Sequence, residues 1–232
     1  MKTANVHQPA SSTSTVRNTA TSDYWSDVHQ ERESLLVLLE TLTQTEWNEP
    51  SLCATWRVRD VVGHMVSETR MTVAQAAWGF ITSGFRINRY IAKDARQRGA
   101  APVANLLEDF RGVVLARTHL PGLSSLSMLE DIVIHQMDIR RPFGQHGRIP
   151  NGRLVLVAGD LWTNRFFPGL KLFQGIRAIA TDADWSAGNG LDVTGPIEAI
   201  VLTLAGRFVA LDQLQGDGTA TLNVRAAAFR GQ

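Results

Sequence analysis

Two histidines and one aspartate, each set in an aliphatic run with helical spacing, are the residues of this chain best placed to do chemistry. Residues 56–64 read Trp56-Arg57-Val58-Arg59-Asp60-Val61-Val62-Gly63-His64, and residues 130–142 run from Glu130-Asp131 through His135 and Asp138 to Pro142. In the second run Asp131 and His135 are four residues apart, so a helix projects both from one face, one turn apart. With His64 from another helix they make two imidazoles and a carboxylate. That donor set suits a divalent metal and leaves positions open for water or substrate. The same residues would also serve as hydrogen-bonded polar members of a core, and spacing alone leaves both readings open.

The elements that must position them read as helices. Val28, Leu35, Leu36, Leu39 and Leu42 recur at threes and fours between Asp23 and about Thr45, with Ser22 or Asp23 as N-cap. A turn containing Pro50 follows. A second helix is expected from an N-cap at Thr55, through His64, to about Ile81, with Val58, Val61, Val62, Met65 and Val66 on its inner side. Gly84 interrupts it, and a short polar helix runs from Ile87 to Arg98. A third main helix follows Pro102 and carries Leu106, Leu107, Phe110, Val113 and Val114. The fourth starts near Ser125 or Ser127 and ends at Arg141, where Pro142 stops it. Four such helices predict a bundle, a scaffold able to aim ligands from facing helices into its interior.

After Gly152 the texture changes. Leu154 to Phe166 reads as a helix, Ile176 to Thr181 and Leu191 to Thr194 as strands around a turn-rich segment, and Pro196 to Ala205 as a helix with Pro at its first position. Gly216-Asp217-Gly218 reads as a turn into a last alternating strand, Thr219 to Arg225. The expected fold class is therefore α+β. A four-helix bundle occupies residues 23–150, with the boundary near Pro150, and a small α+β domain occupies 151–232. Met1 to Ser22, rich in Ser and Thr and free of acidic residues, reads as a disordered tail.

Composition narrows the function classes. The 232 residues are 44% hydrophobic and 19% charged with a formal charge of +1, which speaks against a nucleic-acid binder. No apolar run approaches the length that spans a bilayer, and the expectation is a protein without a membrane partner. The single cysteine, Cys53, excludes an internal disulfide and fits a reducing cytoplasm. Among the other polar residues, Asp138 lies one turn beyond His135. It is read as the ion-pair partner of Arg140, Arg141 or Arg59, or as an orienter of an imidazole. Asp60 reads as a cap, Glu68 as solvated, Cys53 as a small buried hydrophobe, and Trp56 and Trp185 as packing residues.

The segment from Cys53-Ala54-Thr55-Trp56 to His64 resembles the first signature of the mycothiol-dependent maleylpyruvate isomerase family, within the DinB-like superfamily. Asp131 to Gly144 resembles the second. Ala180-Thr181-Asp182-Ala183-Asp184-Trp185, the Gly190 to Pro196 stretch and Leu204-Ala205-Gly206-Arg207 resemble its second domain. The resemblance implies a DinB-like bundle that binds a divalent metal, zinc by family habit, through His64, Asp131 and His135. The isomerase type has glutamate where this chain has Asp131, shorter by one methylene. Glu130 points about 100° away round a helix and is a poor substitute. The resemblance also places a functional arginine at Arg207, able to hold a substrate carboxylate; a structural role at the contact between the domains is the equal alternative. It implies mycothiol as the thiol cosubstrate, and a small electrophile that is isomerised or S-conjugated after thiolate addition. A non-catalytic metal or small-molecule binding protein of the same fold is the alternative.

Overall fold

A computed structural model describes residues 23–53, 55–82, 86–164 and 167–230; the expected tail and the Gly84 break lie outside the described residues. Nine α-helices and three strands are described, in the order α1 (Trp25–Leu39), α2 (Val58–Arg70), α3 (Val73–Thr82), α4 (Ile87–Gly99), α5 (Val103–Arg111), α6 (Ser125–Arg140), α7 (Asn151–Thr163), β1 (Ile176–Ala180), β2 (Ser186–Gly188), β3 (Leu191–Gly195), α8 (Ile197–Leu204) and α9 (Thr219–Arg230). The first part is helical and the second carries a small three-stranded sheet, so the α+β expectation holds. No described helix is long and apolar enough to cross a membrane.

Helices α1, α2, α5 and α6 make the bundle, and α4 packs along α2. Every residue of α6 from Ile132 to Arg140 is buried, because neighbours enclose it on all sides. The Ser124 hydroxyl fixes its start by accepting the Ser127 N–H at 3.2 Å. Helix α2 begins later than expected. Its N-cap is Arg57, whose backbone N–H donates to Asp60 Oδ2 at 3.0 Å, while Thr55 sits outside at φ 69°. The close seam between α2 and α4 depends on Gly63. A Cβ there would stand 2.9 Å from both the Ala95 carbonyl oxygen and the Gly99 nitrogen.

The expected single helix from Thr55 to Ile81 is in fact two. Arg70 ends α2, and Thr72 and Gln75 start α3 by exchanging bonds, Thr72 N–H to Gln75 Oε1 at 2.9 Å and Gln75 N–H to Thr72 Oγ1 at 3.2 Å. That reciprocal Thr-x-x-Gln box satisfies the free donors of a new first turn.

In the second part the strand order is β2-β1-β3, with β1 antiparallel to β2 (Ala178 opposite Ala187) and parallel to β3 (Ala178 opposite Val193). The strand β2 lies inside the stretch read as turns. The expected last strand at Thr219 to Arg225 is instead the helix α9. Its buried residues, Leu222 and Ala226, are four apart, and the apparent alternation comes from small and polar residues on its open face. Pro150 is the N-cap of α7, a helix that touches both α6 and α8. Four ion pairs among the described residues tie the parts together: Arg141 Nε to Glu198 Oε1 at 2.8 Å, Arg153 Nε to Asp27 Oδ1 at 2.9 Å, Arg153 to Glu31, and Arg207 to Asp138.

Candidate metal centre

Burial of Val61, Val62, Met65 and Val66 turns His64 toward the flank of α2 that faces α6, where Asp131 and His135 occupy successive turns. Asp131 Oδ1 lies 3.5 Å from His64 Nε2 and 3.3 Å from His135 Nε2. Three potential ligand atoms, one from each residue, lie within 4.8 Å of one another. The two imidazoles meet edge to face, centroids 4.9 Å apart at 80°, and Trp56 covers both, at 5.1 Å from His64 and 6.1 Å from His135. Trp56 packs, as expected, but it packs against the site.

Behind the cluster runs a buried relay. His135 Nδ1 lies 2.9 Å from Asp138 Oδ2, and Arg207, in the loop after α8, donates from Nε to Asp138 Oδ1 at 3.0 Å and from Nη2 to Oδ2 at 2.8 Å. Asp138 is fully buried. Burial alone would raise its pKa, but Arg207 and His135 hold it below the ordinary value. An ionised Asp138 can only accept, so His135 Nδ1 carries the proton it donates, and Nε2 is turned toward Asp131. Asp138 therefore pairs with His135 and Arg207, and not with Arg140, Arg141 or Arg59. Arg207 also donates from Nη1 to the Ala205 carbonyl at 2.5 Å.

The electrostatics fit a cation between these donors. Burial opposes charge on His135, yet the carboxylates of Asp131 and Asp138 override it and pull the imidazole up to about 10. Burial likewise opposes charge on Asp131, but His135 and His64 hold it well below the usual carboxylate range. The cluster thus favours positive charge between these side chains, and two imidazole nitrogens with one carboxylate oxygen are a zinc-compatible donor set. Asp131, despite its shorter side chain, reaches both imidazoles.

Of three further residues, one departs from expectation. Glu68 is not solvated: burial first, then the charge of Asp131, raise it well above the ordinary glutamate value. Glu130 is buried on the α7 side, where burial, then Asp160 and Asp131, push it up to about 9. Cys53 lies near His135 and Asp138, and burial, then Asp138, lift its thiol to about 11. The thiol therefore stays protonated at neutral pH.

Two hollows open on the centre and share Glu68 and Leu123 as a common wall. The larger, about 380 Å³, is lined by Glu130, Asp131, His135, Asn164 and Arg207. The smaller, about 160 Å³, is bounded by His64, Met71, Ala76, Ile91 and Leu120.

Residues 28–121 match the sequence profile of the mycothiol maleylpyruvate isomerase N-terminal domain. The match spans helices α1 to α5 and ends before α6. Two solved structures share the maleylpyruvate isomerase fold with the chain. A crystal structure of a histidine-to-alanine variant of the mycothiol-dependent maleylpyruvate isomerase aligns with a TM-score of 0.59 at 13% identity, covering 83% of this chain and 91% of that one. A second crystal structure of the enzyme aligns at 0.57 and 16% identity, with the same coverage. No curated protein matches the chain by sequence. The profile match takes in His64 and stops before Asp131, His135 and Arg207. For those three the maleylpyruvate isomerase fold, rather than local sequence, is the common ground.

Proposed function

We propose that the protein is a metal- and thiol-dependent enzyme of the maleylpyruvate isomerase type. On this reading a thiol, mycothiol by family, adds to a small electrophile, and the outcome is isomerisation or S-transfer. The observation that carries the reading is the convergence of His64, Asp131 and His135 on one point, with His135 held from behind by Asp138 and Arg207. These three residues would hold a divalent cation, with zinc the best match to the donors. When bound, the ion supplies a Lewis acid that favours the thiolate form of a thiol at neutral pH.

The rest is the work of the chain. Asp138 fixes the tautomer and ring plane of His135, and Arg207 compensates the buried carboxylate that does so. Three of the five N–H donors of Arg207 are engaged, and the remainder are available to an anionic group in the larger hollow. Glu68, whose pKa is raised by burial and by the charge of Asp131, lines both hollows beside that carboxylate. Trp56 shields the imidazoles from water on the far side.

The test is elemental analysis of the purified protein alongside the His64→Ala variant, followed by thiol-stimulated turnover of chlorodinitrobenzene and maleylpyruvate. The expected result is about one transition metal per chain, absent from the variant, and turnover that requires both metal and thiol. A protein that stays metal-free after reconstitution with zinc overturns the proposal.

A further inference from the structure

Helices α3 and α4 form an arm beside the centre with an uneven charge. Between residues 73 and 99 the cations are Arg86, Arg89, Lys93, Arg96 and Arg98, and the only acid is Asp94. Asp94 is taken by Arg98 at 3.2 Å, and Arg96 donates to Thr55 Oγ1 at 2.7 Å. Arg89 and Lys93, one turn apart and exposed, make no ion pair or side-chain hydrogen bond among the described residues. By contrast Arg70, Arg111 and Arg177 on the same surface each have a carboxylate partner.

The two unpaired cations line a groove of about 610 Å³ between α3 and α4, together with Trp78, Tyr90 and Asp94. Tyr90 and Asp94 also line the small hollow that ends on His64, so the groove and the hollow adjoin at these two side chains. Their closeness depends on Gly79. A Cβ at that position would collide with the Tyr90 ring, so glycine lets α3 close over the aromatic side chain between the two spaces.

The small hollow is walled by Met71, Ala76, Ile91, Leu120 and Leu123, and at about 160 Å³ it has the volume of a site for one benzene-sized group. At the other side of the centre the charge of Arg207 is already compensated by Asp138. A fixed carboxylate therefore finds uncompensated positive charge on the arm, where a concave wall concentrates the field.

We propose that the electrophilic reactant is an aryl or similarly compact apolar carboxylate. Its ring lies in the small hollow, its reactive end faces His64 and Asp131, and its carboxylate lies on Arg89 and Lys93. The assignment of a reactive end rests on the thiol-dependent reading given above. The ligand site itself rests on the groove.

The test is calorimetric titration of the full, zinc-loaded chain with 4-chloro-3-nitrobenzoate, whose electrophilic carbon lies opposite its carboxylate, and with its neutral amide, with metal content and thiol-dependent turnover measured on the same preparation. The acid should bind about tenfold more tightly than the amide, an advantage that shrinks as salt is raised. The Arg89→Ala/Lys93→Ala variant should bind both equally, and Ala76→Phe, which fills the hollow, should weaken both. Equal binding of acid and amide to the wild type overturns the proposal, as does an advantage that survives the double substitution. A preparation with no metal and no turnover that still prefers the acid sinks the enzymatic reading and leaves the groove standing. Turnover without the preference does the reverse.

Discussion

Arg207 grips Asp138 through two parallel hydrogen bonds, Nε to Oδ1 at 3.0 Å and Nη2 to Oδ2 at 2.8 Å, across 69 residues of sequence. Asp138 in turn holds His135. A residue of the second part of the chain therefore sets the orientation of His135, a ligand in the proposed metal site.

Replacing Arg207 by alanine leaves a buried, uncompensated carboxylate, and a loss of about 3–5 kcal/mol in stability is expected. Lysine, a point charge without the planar fork, should recover only part of it. Both variants should lose zinc affinity roughly 10- to 100-fold, the usual cost of removing a group that holds a ligating histidine. Chelator competition and thermal melts check this; unchanged affinity in both variants would detach the relay from the centre.

His135→Ala should empty the site while the far-ultraviolet circular dichroism keeps its helical shape. Asp131→Ala should weaken metal binding, and Glu130→Ala should not, because Glu130 faces Asp160 on α7. Metal occupancy after dialysis reads the difference, and the opposite order would move the carboxylate ligand to Glu130.

Glu130 carries a pH signature. Its pKa is about 9 in the folded protein and near the ordinary glutamate value when unfolded, so between those values the folded state holds a proton that the unfolded state has released. Stability of the metal-stripped protein should fall as pH rises across that window. Glu130→Gln, which mimics the protonated acid, should flatten the fall and gain on the order of 4 kcal/mol at pH 8 relative to pH 5. Parallel melting curves for the wild type and the variant would refute the assignment.

Gly63→Ala puts a methyl group against the backbone of Ala95 and Gly99, atoms that cannot turn aside. The expected cost is about 1–3 kcal/mol. Because His64 is the next residue, zinc affinity should fall as well. Urea denaturation and chelator competition on one preparation would test both effects, and an affinity equal to that of the wild type would mean that α2 shifts without carrying His64.

The cluster of His64, Asp131 and His135, the proposed ligand set, was legible in the sequence because Asp131 and His135 carry helical spacing within one run, and His64 lies in a run whose apolar face is unambiguous. Arg207 became a candidate only through family resemblance, since no local pattern reports a bond to Asp138 from so far along the chain. Glu68 looked solvated because its burial comes from the packing of α6 and the walls of two hollows rather than from its own helix. The Thr72-x-x-Gln75 box that starts α3 was readable, but the continuous apolar texture from Val58 to Ile81 masked it. The strand expected at Thr219 failed because seven residues of small and polar alternation do not outweigh two buried positions four apart.

Glu68 and Leu123 wall both hollows at once, and this has an evolutionary consequence. A bulkier residue at 123 would trim two chambers together, and a smaller one would merge them. Preferences for the two reactants are thus inherited jointly, and drift toward a new electrophile would have to be matched by change on the thiol side.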